Sequence, residues 1–110
     1  MRTHDPKFLN DWLFVCKANL HRSATAEHVA RCMGLRADSC GSVEVISIRP
    51  LTLDQIEHAK NLVCMEESHA KALREIAPHR MPQVWNIPDN YKYNQPELVA
   101  LIRAKLEGRA

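Results

Sequence analysis

The chain has 110 residues, 45% of them hydrophobic and 25% charged. That is enough for one sheet with helices on both faces and too little for a second domain, so residues 1–110 are expected to form a single small domain. The formal net charge of +2 is too small to argue for a nucleic-acid or membrane partner, although it would not repel an anionic substrate.

No apolar run approaches the roughly 18 residues of a membrane span. The polar start over residues 1–6 lacks the apolar core of a signal peptide, which makes a cytoplasmic location the expectation. Cys16, Cys32, Cys40 and Cys64 contain no C-x-x-C pair, which argues against a zinc ribbon or a thioredoxin-type motif and for free thiols. His28 and Cys32 lie four apart on a predicted helix, but two ligands do not make a metal site.

In chain order, Trp12, Leu13, Phe14 and Val15 form an unbroken apolar run, as in a central parallel strand covered on both faces. Cys16 then emerges at the carboxyl end of that strand, the sheet edge where open α/β folds bind ligands. The following loop feeds a helix whose unpaired N–H groups and positive dipole end attract anions and favour a thiolate. Arg22 follows Cys16 after five residues, close enough for its planar fork to return over the sulfur and grip phosphate oxygens in pairs. A hydroxyl at Ser23 can donate to the thiolate. Ala26, Val29, Ala30 and Met33 continue at helical spacing to a cap at Gly34. Residues 35–41 read as a short strand that carries Cys40 to the same edge.

Residues 43–48 are rich in β-branched side chains, which suggest a strand. Thr52 and Gln55 form a capping box, and Leu51 with Ile56 a hydrophobic staple, for a helix running to about Lys60. Residues 62–65 make another apolar strand. Glu66 and Glu67 open a helix with acidic residues at its positive end, and Pro78 stops it near Ala77. A last strand, residues 83–87, leads into Pro88, Asp89, Asn90 and Tyr91. Pro96 and Glu97 open the final helix, with Leu98, Leu101, Ile102 and Leu106 on one face. Alternating strands and helices at this spacing imply right-handed β-α-β units: an α/β, three-layer, doubly wound parallel sheet of four strands with helices on both faces.

Cys16, Asn19, Arg22 and Ser23, followed by Thr25, Ala26 and Glu27, resemble the active-site loop of the low-molecular-weight protein tyrosine phosphatases, here in a compact variant. Lys17 and Ala24 depart from that pattern, which often has a small residue or cysteine and a proline there. The resemblance implies strand order 2-1-3-4, which puts the Cys16 loop at the switch point, and it places residues 43–48 in a loop bordering the substrate. It also implies a phosphatase acting on phosphotyrosine or another aryl phosphate without metal or cofactor. The phosphate would lie in the ring of N–H groups from Lys17, Ala18, Asn19, Leu20, His21 and Arg22, with Cys16 as nucleophile and Ser23 supporting it.

Pro88, Asp89, Asn90 and Tyr91 are similar to the family's Pro-Asp-Pro-Tyr, which makes Asp89 the candidate general acid; Asn90 stands in place of a proline. Tyr91 is the candidate aromatic wall for a phenyl ring. Asn19 is expected to hold the loop in a left-handed conformation. Two other functions fit the loop: a phosphocysteine carrier or regulatory phosphate-binding domain, and a thiol-coupled arsenate reductase in which Cys40 would be the resolving thiol. Neither the natural substrate nor the oligomeric state is legible.

Overall fold

A computed structural model describes residues 6–108. Residues 1–5, which carry most of the polar start read above, lie outside the described part. The elements in order are β1 (Asn10–Cys16), α1 (Arg22–Cys32), β2 (Ala37–Gly41), α2 (Leu53–Glu57), β3 (Ala59–Cys64), α3 (Glu67–Ile76), β4 (Gln83–Val84) and α4 (Pro96–Leu106). All strand pairs are parallel, in the order β2-β1-β3-β4. β1 is therefore central, with Val15 aligned to Cys40 on one side and to Cys64 on the other.

Alternate residues of β1 serve opposite faces, since side chains along a strand point to each side in turn. Phe14 and Cys16 join Val29 of α1 with Leu98 and Ile102 of α4 in one half of the core. Leu13 and Val15 join Ile56 of α2 with Ala70 and Leu73 of α3 in the other. The three-layer sandwich is thus the consequence of a strand that is apolar at every position from Trp12 to Cys16. Among the described residues no helix is long and apolar enough to cross a membrane.

Local signals hold where they are strongest. Gly34, at φ +84, follows the end of α1, and Thr52 and Gln55 exchange both bonds of the capping box. Three boundaries differ from expectation. Helix α2 stops at Glu57 rather than near Lys60, because Ala59 already pairs with Asn10 in the sheet and its side chain is buried. Strand β4 keeps only Gln83 and Val84 of the expected 83–87, because Asn86 turns left-handed at φ +54. Pairing with β3 nevertheless continues through Trp85 N–H to Cys64 O and Ile87 N–H to Met65 O. Residues 43–48 are not a strand. They contain a 3-10 turn at Glu44–Ile46 with Val45 and Ile48 in solvent, which is the loop that the resemblance implies.

Candidate active site

Beyond Cys16 the chain turns into α1 through residues 17–21, with Asn19 at φ +58. Asn tolerates this left-handed conformation, as expected of it. The carbonyls of Cys16, Lys17 and Ala18 accept from Ser42, Val43 and Ile48 N–H, and that of His21 from Thr25 N–H. The segment after β2 therefore braces the loop from outside. The N–H groups of residues 17–22 donate to no protein acceptor among the described residues. With its carbonyls held outward and its donors unspent, the loop is shaped to surround an anion at the positive end of α1.

Gly41 permits this packing. A Cβ there would lie 2.1 Å from Ser47 Oγ and 2.9 Å from the Ala18 carbonyl carbon.

Beneath the loop, Ser23 Oγ lies 2.9 Å from Cys16 Sγ, donates to Asn19 Oδ1 at 2.8 Å, and lies 3.4 Å from Cys40 O. Arg22 is 1% exposed although charged. Its Nη1 bonds Glu66 Oε2 and donates to Ile87 O at 2.7 Å, while Nε lies 3.7 Å from Asp89 Oδ1. Cys16, Lys17, Ala18, Leu20, His21, Arg22 and Asp89 line one cavity of about 190 Å³. An adjoining hollow shares Lys17, Arg22 and Asp89 and adds Glu66 and His69. The His69 imidazole is buried, and desolvation, reinforced by the Arg22 charge, pushes its pKa down to about 4.

Five of the seven cavity residues come from the loop and the helix start, Cys16 stands at the end of β1, and Asp89 reaches the cavity from the segment after β4. Asn19 and Ser23 lie below the cavity as supports. Tyr91 does not line the cavity; it is half-buried and packs against the Phe14 side of the core. Tyr93 instead borders a separate groove with Leu20 and Arg49.

Cys40 is not placed to bridge Cys16: it aligns with Val15, so its thiol faces the opposite side of the sheet. Side chains pointing apart cannot close a disulfide. His28 Nε2 and Cys32 Sγ lie 3.7 Å apart on an exposed face, and no group of three or more His, Cys, Asp or Glu among the described residues could hold a metal.

Sequence reasoning missed Glu66, reading it only as a helix opener. Its position directly after a strand at the same sheet edge was the available signal.

No protein-family model and no curated protein matches the chain. Solved structures do. Vibrio vulnificus Wzb, in complex with benzylphosphonate, matches with a TM-score of 0.66 and 20% identity over 92% of this chain and 94% of the other. The YwlE arginine phosphatase from Geobacillus stearothermophilus matches at 0.62 and 18% identity, over 91% and 87%. A low-molecular-weight protein tyrosine phosphatase from T. tengcongensis matches at 0.61 and 22% identity, over 88% and 97%. With its sheet order of 2-1-3-4 and its cysteine loop at the switch point, the chain has the fold of the solved low-molecular-weight protein tyrosine phosphatases.

Proposed function

We propose that the protein is a cysteine-dependent phosphatase that hydrolyses aryl phosphate monoesters such as phosphotyrosine through a phosphocysteine intermediate. The observation that carries this reading is that Cys16, the Arg22 fork and Asp89 line one cavity, with the unspent N–H groups of residues 17–22 around it. Cys16 Sγ attacks phosphorus as the bond to the phenolic oxygen breaks, and Asp89 gives that oxygen its proton. A phenolate with pKa about 10 is a poor leaving group without such an acid. Water then attacks phosphocysteine, Asp89 takes a proton from it, and the thiolate leaves. Arg22 and the N–H ring hold the equatorial oxygens throughout.

The hydroxyl of Ser23 has one proton for three acceptors, Cys16 Sγ and Asn19 Oδ1 close by and the Cys40 carbonyl at 3.4 Å. With Cys16 as a thiol it goes to Asn19 Oδ1. When sulfur is the thiolate, or leaves as one, the hydroxyl turns to it and the Asn19 amide presents its NH₂ instead.

A carrier has no use for an acid beside the leaving oxygen, so Asp89 in the cavity favours hydrolysis over relay. A second reading, phosphoryl transfer from a guanidinium nitrogen, is favoured by the absence of any Phe, Tyr or Trp from the cavity lining and by the carboxylates of Glu66 and Asp89 around the adjoining hollow.

The test is phosphate release from a small aryl phosphate, phosphotyrosine and phosphoarginine, each in the presence of a chelator, by wild type and Cys16→Ser. Turnover of the aryl esters that Cys16→Ser abolishes supports the first reading; turnover confined to phosphoarginine supports the second. No release from any of the three overturns both.

A further inference from the structure

The two hydrogens on Arg22 Nη1 are both spent within the protein, one on the Ile87 carbonyl and one on the Glu66 carboxylate. Among the described residues neither Nε nor Nη2 has a protein acceptor at hydrogen-bond distance; the Asp89 carboxylate stands 3.7 Å from Nε. The free Nε–Nη2 edge is the one that grips two oxygens of a phosphate side by side. A long side chain rotates about several bonds, so holding the opposite corner determines where this edge points.

Both holders stand on the sheet. Met65 N–H donates to Val15 O, seating Glu66 two residues beyond β3 and beside the strand that carries Cys16. Glu66 N–H donates to His69 Nδ1 at 3.1 Å. Ile87 is pinned to the same strand end by its N–H on Met65 O.

Resting on the reading of Arg22 as phosphate clamp, we propose that Glu66 is a positioning residue: with the Ile87 carbonyl it anchors Nη1 and turns the Nε–Nη2 edge of Arg22 toward the phosphate. Two rival roles have the opposite sign. A carboxylate that merely adds negative charge at the mouth, or competes with phosphate for the guanidinium, weakens anion binding, so its removal tightens it. One that only opens α3 is replaceable by any good helix N-cap.

Glu66→Ser separates these, since serine is a favoured N-cap yet too short to reach Arg22. Inorganic phosphate affinity by titration calorimetry, kcat/KM on an aryl phosphate and thermal unfolding are measured for wild type, Glu66→Ser and Glu66→Gln. The expected result for Glu66→Ser is phosphate affinity and kcat/KM each reduced about 10- to 100-fold, the value of a charge-assisted hydrogen bond, with a melting temperature near wild type. Glu66→Gln, which keeps the length and an acceptor, loses less, and it carries the test if the serine variant fails to fold. In an Arg22→Lys background the Glu66 substitutions add little, because the group they orient is gone.

Phosphate affinity equal to or tighter than wild type in either single variant overturns the proposal. Phosphate binding by wild type without turnover would overturn the phosphatase reading and leave Glu66 to be decided by affinity. Wild type that binds no phosphate overturns both.

Discussion

Cys16 and Cys40 stand on neighbouring strands one step apart in register, and their surroundings are opposite. Cys16 shares a hydrogen bond with Ser23 and opens onto the cavity with the Arg22 guanidinium. Cys40 faces the Leu13 and Val15 side, fully buried, where desolvation first and then the Asp38 charge push its thiol up. Cys64, on the other flank of Val15, is likewise pushed up to about 12, chiefly by burial. Cys40 gives the site only its carbonyl, 3.4 Å from Ser23 Oγ. One step along a strand reverses the face, and with it the difference between a thiol beside an anion loop and a thiol that is core.

The comparison breaks most sharply by exchanging sulfur for oxygen at each position. Cys16→Ser is expected to abolish turnover on every ester while leaving the fold intact. Cys40→Ser should keep turnover but lose about 1–3 kcal/mol of stability, because a hydroxyl is buried among apolar groups. Steady-state kinetics and urea unfolding of both variants check this; turnover surviving in Cys16→Ser would remove the nucleophile assignment.

Asp89 is the next largest effect. Asp89→Ala should lose roughly 10²- to 10⁴-fold in the cleavage step on phosphotyrosine, and markedly less on an ester of a more acidic phenol. Single-turnover kinetics on the two substrates isolate that step; equal losses would make Asp89 a turn residue.

Gly41, the register partner of Cys16, sharpens the contrast from the β2 side. Gly41→Ala drives a methyl into Ser47 and the Ala18 backbone. Displacement of the loop by a fraction of an ångström should lower kcat/KM by up to about 10²-fold. Far-UV circular dichroism should be unchanged, and unimpaired turnover would show that the loop tolerates the shift.

The smallest effect concerns pH. His69 titrates near 4 in the fold against about 6.5 unfolded. Between those values the unfolded chain takes a proton that the fold refuses, so stability falls as pH drops from 6.5 toward 4 and this contribution is flat below. His69→Asn keeps an acceptor for Glu66 N–H and should flatten that part of the profile in urea unfolding at pH 7 and pH 5. An unaltered slope would show that His69 is not the group responsible.

Much of this was legible locally. The apolar run ending in Cys16, the five-residue spacing to Arg22, the Thr52–Gln55 box, Gly34 after α1 and Pro96 at the start of α4 depend on backbone preferences and bonds within one turn of helix or one strand. Those interactions are short in sequence, so residue order alone determined them, and with them the alternation that implies the sheet. Other features were settled between distant residues. Glu66 reads as a helix opener until the sheet brings it to Arg22, 44 positions earlier in the chain. Tyr91 reads as a residue of the mouth, and only the fold shows that it also packs against the Phe14 side of the core. Helix α2 ends early because β1 claims Ala59. The sequence determined which groups stand at the carboxyl edge; tertiary packing alone decided which face each takes and which partner it meets, because burial free energy is collected across the whole core and outweighs the weak local preferences of any one segment.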